Sequence, residues 1–201
     1  MVGAGGHAKV CIELFRRMGE TVDWCIGDQS SADDCLGVPV LKGDEHIARL
    51  VGEGYRRSFI AIGSNGLRAR LAETARAAGM GLEKAIAPSA IVSATARIDE
   101  GVAIMEGVVV NAAASIGALS ILNTNSSVDH DCTIGVSCHL APNSALAGNV
   151  VVGNRTFLGI GCSVIPDVRI GSDVVVGAGA VVIRDLPAGS TAVGVPARTV
   201  G

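Results

Sequence analysis

The sequence predicts a two-domain chain in which a small α/β nucleotide-binding domain precedes a parallel β-helix. Two observations carry this prediction. An aliphatic residue recurs at every sixth position from Ile86 to Val182, and the front of the chain contains the glycine-rich stretch "GAGGHA". We therefore place a Rossmann-like half domain with a small parallel sheet at residues 1–84 and an all-β domain at residues 85–201.

The six-residue repeat is defined by two registers that stay in phase. Taken every six residues from Ile86, all seventeen positions are Ile, Leu or Val. The positions four residues further on are small or Val in sixteen of seventeen cases, and Leu186 is the exception. A period of six with one large and one small inward position is typical of a parallel β-helix. Three hexads form one coil, and neighbouring coils pair as parallel strands about 4.8 Å apart.

Glycines and cysteines occupy regular places in this repeat. Gly117, Gly135, Gly153 and Gly171 recur every eighteen residues, where we expect tight corners that require a positive φ. Three cysteines fall on small inward positions and should be buried: Cys132, Cys138 and Cys162. The six cysteines form no CxxC pair, so free thiols are favoured over disulfides, and no zinc site is expected.

The front of the chain shows helical periods and short strands. "GAGGHA" fits G-x-G-x-x-A and precedes a helix with Ala8, Cys11, Ile12 and Phe15 on one face. "TVDWCI" and "RSFIAIG" are predicted strands, the first ending at Asp28. A second helix is predicted over residues 65–78, and its expected inward residues are Leu67, Leu71 and Ala78. This βαβ pattern offers glycine amides and helix N-termini to an anion, and the unit favours a nucleoside diphosphate over a dinucleotide.

Composition excludes several classes of protein. The net charge is −3, no basic block is present and aromatic residues make up 2%, so nucleic acid is not an expected partner. The mean hydropathy is +0.47, yet no apolar run approaches the roughly 20 residues of a membrane span. The first residues, "MVGAGGHAKV", lack the pattern of a secretory signal. We expect a cytoplasmic protein without membrane insertion.

The stretch "SSVDHDCTIG" places Asp129, His130 and Asp131 in a segment that otherwise avoids charge. His130 lies two residues after an inward Val, so its side chain should point outward, and Asp131 can orient and stabilise an imidazolium. That pairing predicts a general base rather than an ordinary surface histidine. Gly148 lies eighteen residues further and should stack on His130, where its amide could serve as an oxyanion donor. A simple corner glycine is the alternative.

Both halves of the chain resemble one family. The stretches "GAGGHAKV", "LGVPVL", "IAIGSNGLR", "NTNSSVDHDCTIG", "ALAGNVVVG" and "GVPAR" cover nearly the whole sequence in order. Together with repeated [LIV]-G-x4 hexads, they resemble the hexapeptide acyltransferases that include sialic acid O-acetyltransferases and bacterial 4-amino-sugar N-acetyltransferases. The resemblance implies a left-handed β-helix, a homotrimer, acetyl-CoA as the acyl donor and a nucleotide-linked amino sugar, with GDP as the favoured nucleotide. It also supports His130 and Asp131 as catalytic residues, with direct attack of the amine on the thioester.

The resemblance further implies binding residues, which are grouped here by expected ligand. The sugar nucleotide is assigned to Gly5, Gly6, His7, Asp28, Ser64, Asn65 and Asn123. Acetyl-CoA, in a groove between subunits, is assigned to His139, Gly159, Gly161, Gly177, Ala178 and Pro196. Asn123 and His139 could also be a corner asparagine and a surface histidine. N-acetylation, O-acetylation of a sugar or sialic acid, and a non-catalytic β-solenoid remain open as functions.

Overall fold

A computed structural model describes residues 1–200. They fall into two compact units, of which the first is Met1–Ala85 and the second begins at Ile86. The first unit is α/β and the second is a parallel β-helix, as the sequence predicts. No helix within residues 1–200 has the length and apolar character needed to cross a bilayer.

The first unit is built on short parallel strands. Its elements are α1 (Gly6–Arg17), β1 (Cys25–Gly27), β2 (Asp34–Cys35), β3 (Val38–Lys42), α2 (His46–Gly52), β4 (Arg57–Ser58), α3 (Asn65–Ala77) and β5 (Gly81–Leu82). Strand β1 pairs in parallel with β3, and β4 pairs in parallel with β5. Val2 joins the two pairs through parallel bridges to Ile26 and Ile60. The glycine loop therefore leads from the middle of the parallel strands into α1.

The buried face of α1 is entirely apolar, whereas the buried face of α3 includes a charged residue. Helix α1 buries Ala8, Cys11, Ile12, Leu14 and Phe15, which includes the whole predicted face. The predicted face of α3 is only partly correct. Leu71 is buried, but Leu67 and Ala78 are half-buried, and the buried face is completed by Arg68, Ala72 and Ala75. A pattern of apolar residues alone assigns Arg68 to solvent, although the structure buries it.

The second unit stacks its strands in three sheets, which are parallel except for one antiparallel pair at the end of the third. The first contains β7 (Ile91–Val92), β10 (Val109–Val110), β13 (Ser127–Val128), β16 (Ala145–Leu146), β19 (Ser163–Val164) and β22 (Val181–Val182). The second contains β8 (Arg97–Ile98), β11 (Ser115–Ile116), β14 (Thr133–Ile134), β17 (Val151–Val152) and β20 (Arg169–Ile170). The third contains β6 (Ala85–Ile86), β9 (Ala103–Ile104), β12 (Ile121–Leu122), β15 (His139–Leu140), β18 (Phe157–Leu158), β21 (Val175–Val176), β23 (Thr191–Val193) and β24 (Arg198–Val200).

Paired residues of successive coils lie eighteen positions apart, for example Val110 opposite Val128 and Val128 opposite Leu146. Each coil therefore buries its large aliphatic residues against the same positions of its neighbours. The repeat contracts once near its end. Val182 pairs with Val164, and Leu186 bridges Ile170. The step from one inward position to the next is therefore six residues in the earlier coil and four residues here. Leu186 thus occupies a large position, which explains why it is the exception in the small register.

The recurring glycines serve a different purpose from the one predicted. Gly117, Gly135, Gly153 and Gly171 are not among the residues with positive φ. A Cβ atom at Gly117 would instead lie 2.7 Å from the carbonyl carbon of Gly135, and one at Gly153 would lie 2.4 Å from the amide of Ser172. These glycines are required because adjacent coils approach too closely for any side chain.

The left-handed corner conformation is carried mainly by other residues. Ten non-glycine residues of the β-helix have φ between 57° and 65°, a region in which Asn and Asp are enriched. They are Ala113, Leu119, Asn125, Asp131, Ser137, Asn143, Asn149, Arg155, Asp167 and Asp173.

The three inward cysteines should resist alkylation while the protein is folded. Cys132, Cys138 and Cys162 have no exposed surface, and burial raises the pKa of the Cys162 thiol to about 11. Thiolate is the reactive species, so we expect no modification by iodoacetamide in native buffer and full modification in denaturant. Mass spectrometry of timed samples measures this. Rapid labelling of any of the three in the native state would contradict their assignment to inward positions of the six-residue repeat.

Candidate active site

The corner between β13 and β14 carries an ordered histidine–carboxylate pair. His130 Nδ1 donates to Asp131 Oδ2 at 2.8 Å, and the two side chains are 60% and 62% exposed. Because a carboxylate can only accept this bond, the neutral imidazole carries its proton on Nδ1. Nε2 then holds the lone pair, and it has no hydrogen-bond partner within residues 1–200. The hydrogen bond to Asp131 raises the pKa of His130, and the charge of Asp129 raises it further.

A second acid fixes the backbone of the histidine. Asp129 Oδ1 accepts the His130 backbone N–H at 2.8 Å and the Asn111 amide Nδ2–H at 2.8 Å. Asn111 lies one coil earlier, eighteen residues away. These two hydrogen bonds keep the pKa of Asp129 below its usual range, so its negative charge persists beside the imidazole. Sequence reasoning did not identify Asn111, although the eighteen-residue register would have placed it directly under Asp129.

Gly148 lies against the imidazole ring. A Cβ atom at Gly148 would lie 2.6 Å from both Cε1 and Nε2 of His130, so only glycine leaves room for the ring. Asn149 donates its backbone N–H to His130 O at 2.9 Å, which ties the two coils together at this point. The Gly148 amide has no acceptor among the described residues. A glycine with an uncommitted N–H therefore lies against the edge of the ring that carries Nε2.

Cys132 follows this pair but is not available as a nucleophile. Its thiol is buried and donates to Ala147 O at 3.2 Å, and burial raises its pKa.

The other predicted residues of the β-helix form separate groups. Asn123 Oδ1 accepts the Thr124 N–H at 2.8 Å, so its Nδ2 donates to His139 Nε2 at 3.2 Å. This makes His139 Nε2 an acceptor, and the ring also packs edge-on against Phe157 with centroids 5.3 Å apart.

The glycines assigned to acetyl-CoA lie toward the later coils. A Cβ atom at Gly159 would lie 2.7 Å from the Gly177 carbonyl carbon and from the Ala178 nitrogen, so these three residues stack tightly. Gly161 has a φ of +65° at the following corner, and Pro196 lies in the turn between β23 and β24.

The first unit contains a pocket of about 560 Å³ at the carboxyl ends of its parallel strands. Gly5 and Asp28, two of the residues assigned to the sugar nucleotide, line it together with Ser30, Ser31, Asp44 and Arg70, which the sequence reasoning did not identify. Gly6, His7, Ser64 and Asn65 do not line the pocket. They form the first turns of α1 and α3 beside it.

Hydrogen bonds order the loop at Asp28. Asp28 Oδ1 accepts Ser30 N–H at 2.9 Å, Ser30 Oγ–H at 2.7 Å and Ser31 Oγ–H at 3.1 Å, which lowers the pKa of Asp28.

Burial, with a smaller contribution from the charge of Arg68, lowers the pKa of His7 to about 4. His7 is therefore neutral near pH 7.

A separate pocket of about 400 Å³, lined in part by Trp24, Tyr55 and Arg57, lies at the amino ends of the same strands. It contains none of the predicted site residues. Within residues 1–200 no group of three or more His, Cys, Asp or Glu side chains is arranged to hold a metal ion.

Comparisons with known proteins match both units. The PglD N-terminal domain matches residues 1–75, and the bacterial transferase hexapeptide (six repeats) matches residues 149–184. A solved structure of perosamine N-acetyltransferase from Caulobacter crescentus is 52% identical, with a TM-score of 0.97, over 100% of this chain and 95% of that one. The chain belongs to the hexapeptide-repeat acetyltransferases with a PglD-type N-terminal domain.

Two further solved structures are similar over 99% of this chain and 97% of their own. The acetyltransferase domain of PglB from Neisseria gonorrhoeae is 34% identical with a TM-score of 0.92, and it was solved with acetyl coenzyme A. WeeI from Acinetobacter baumannii is 27% identical with a TM-score of 0.92. The Caulobacter enzyme was solved with CoA and GDP-perosamine, including variants in which a histidine is replaced by Asn or Ala.

Replacing the histidine's partner should move the pH profile of this acetyltransferase. We expect Asp131→Asn to lower the pKa of His130, because the hydrogen bond to the carboxylate is the largest contribution that raises it. The acidic limb of kcat/KM, where a protonated imidazole cannot accept a proton, should then move to lower pH. Asn also tolerates the φ of +59° at this position. An unchanged pKa in a proton NMR titration of the His130 ring would contradict this role.

Proposed function

We propose that the protein transfers an acetyl group from acetyl-CoA to the amino group of a nucleotide-linked 4-amino-4,6-dideoxy sugar of the GDP-perosamine type. The observation that carries the proposal is the His130–Asp131 pair, whose open Nε2 lies beside the uncommitted amide of Gly148. Similarity at 52% identity to an enzyme solved with CoA and GDP-perosamine supports the choice of substrates.

In this mechanism His130 Nε2 removes a proton from the amine as the amine nitrogen bonds to the acetyl carbon. Asp131 holds the ring through Nδ1 and stabilises the imidazolium that forms. We assign the Gly148 N–H to stabilising negative charge on the carbonyl oxygen, since it has no other acceptor among the described residues. The carbon–sulfur bond then breaks, and the proton on Nε2 passes to the departing thiolate. No acyl-enzyme is required, since the amine is the nucleophile and Cys132 is buried.

The first unit has the features needed for the nucleoside diphosphate. Helices α1 and α3 begin beside the pocket, where their backbone N–H groups and dipoles favour phosphate oxygens. Asp28 lies at the carboxyl end of β1, the place at which nucleotide-binding folds present an acid to the ribose hydroxyls. We assign the ribose to Asp28 and the diphosphate to the loop that contains Gly5.

Acetylation assays with paired acceptors test the proposed function. The purified protein is given acetyl-CoA and the GDP-, UDP- or dTDP-linked 4-amino sugar, with the corresponding 4-hydroxy sugars as controls. CoA release is followed with a thiol reagent, and the product is identified by mass spectrometry. The proposal requires that GDP-linked amino sugar be the best acceptor. Turnover of the 4-hydroxy sugars alone would assign O-acetylation, and absence of CoA binding would assign a non-catalytic role.

We propose further that the active protein is a homotrimer. The β-helix exposes several aliphatic side chains, among them Ile160 at 57%, Ile165 at 41% and Val175 at 43%. Aliphatic side chains that are exposed on a single chain are often buried when subunits associate. Sedimentation velocity at micromolar concentration should give a single species of three times the chain mass. A monomer that remains fully active would contradict both the trimer and an acetyl-CoA groove shared between subunits.

A further inference from the structure

Arg68 is a charged residue inside the first unit. It belongs to the first turn of α3, yet only 1% of its surface is exposed, and it shares the buried face of the helix with Leu71, Ala72 and Ala75. Burying a guanidinium is costly unless its hydrogen bonds are satisfied. A buried arginine is therefore a candidate for a specific structural or functional role.

The contacts of Arg68 organise the loop that leads into α3. Nη1 donates to Ile62 O at 2.8 Å and to Gly63 O at 3.0 Å, and Nη2 donates to Asn65 Oδ1 at 2.7 Å. Ile62 and Gly63 lie in the connection from β4 to α3, Asn65 is the first residue of α3, and Ile62 lines the nucleotide pocket. One planar side chain thus fixes both the loop and the start of a thirteen-residue helix whose N-terminus lies beside that pocket.

The charge of Arg68 also acts on the start of α1, directly after the glycine loop. Its positive field disfavours the imidazolium form of His7, which lies in the first turn of α1. A field that opposes a cation at this place favours an anion there, and the adjacent pocket begins at Gly3, Ala4 and Gly5. The dipoles of α1 and α3 act in the same direction.

We propose that Arg68 is a positioning residue for the diphosphate of the sugar nucleotide. From behind the pocket wall it holds the loop at residues 62–65 in place, and it supplies a buried positive charge that favours phosphate without contacting it. This inference rests on the proposed function, because it assumes that the 560 Å³ pocket receives a nucleoside diphosphate. It predicts that the contribution of Arg68 grows with the number of phosphate charges on the ligand.

The experiment compares three variants with three ligands in the full-length protein. Arg68→Gln removes the charge, Arg68→Lys keeps it with fewer hydrogen bonds, and Arg76→Gln removes a charge from the last turn of the same helix. Isothermal titration calorimetry gives the Kd of each for GDP, GMP and guanosine. Far-UV circular dichroism with thermal unfolding reports whether the first unit of each variant is folded, and CoA affinity reports on the β-helix.

For Arg68→Gln we expect a loss on the order of tenfold for GDP, about threefold for GMP and less than twofold for guanosine. Arg68→Lys should keep the preference for GDP over guanosine, and Arg76→Gln should leave all three Kd values within about twofold. Equal losses for the three ligands would assign a purely structural role and overturn the proposal, as would no loss for GDP.

If Arg68→Gln does not fold, Arg68→Lys decides the question, because a lost preference for GDP would then overturn the proposal. A wild-type protein that binds CoA but none of the nucleotides tested would instead reject the proposed function.

Discussion

We expect His130→Asn to lose between about 10² and 10⁴ in kcat while CoA affinity is retained. Asn preserves approximate size and polarity, but it cannot accept a proton near neutral pH. Only the base step should be affected, since the Gly148 amide and the fold of the corner do not depend on the imidazole. Steady-state kinetics with saturating acetyl-CoA measure the loss in kcat, and calorimetry measures CoA binding.

The pH profile is the control for this prediction. Wild-type kcat/KM should fall at acidic pH as His130 is protonated, and the contacts with Asp131 and Asp129 place that fall above the usual histidine range. Protonation of the acceptor amine also lowers kcat/KM at acidic pH. The His130→Asn variant should keep this amine-dependent fall and lose the fall that is due to His130. A variant that loses less than about threefold and keeps the wild-type profile would show that His130 is not the base.

The β-helix could be predicted in detail because burial repeats with the sequence. Every sixth residue faces the interior, so the identity of the large and small positions is visible without any tertiary information. The same logic placed Cys132, Cys138 and Cys162 correctly in the interior. It did not give the reason for Gly117 and Gly135, because that reason is a close distance between coils and not a local backbone angle.

Site residues whose partners are distant in sequence were harder to predict. Asp131 was identified because it neighbours His130, whereas Asn111 acts on the same histidine through Asp129 from the preceding coil. Arg68 was missed for another reason. A helical pattern assigns charge to solvent, and the burial of Arg68 becomes tolerable through hydrogen bonds to the carbonyls of the loop before α3 and to the Asn65 side chain. In both cases the role of the residue depends on a hydrogen bond whose two partners meet only in the folded chain.

Gly148→Ala should be nearly as damaging as loss of the histidine itself, with kcat reduced on the order of 10²-fold. The added methyl would occupy a point 2.6 Å from Nε2 and Cε1, so the ring must leave its place, and the bond from Nδ1 to Asp131 must change with it. The backbone at Gly148 does not have a positive φ, so alanine adds no conformational strain, and the thermal unfolding temperature should change little.

A double-variant cycle separates displacement of the ring from any other effect of the methyl group. In a His130→Ala background there is no imidazole to displace, so adding Gly148→Ala should reduce kcat by less than about twofold further. Strong non-additivity of this kind would show that Gly148 acts by making room for His130. If the two losses multiply instead, the methyl disturbs a separate step, and the Gly148 N–H as oxyanion donor becomes the first candidate. If Gly148→Ala alone retains full activity, the ring position described here is not the catalytic one.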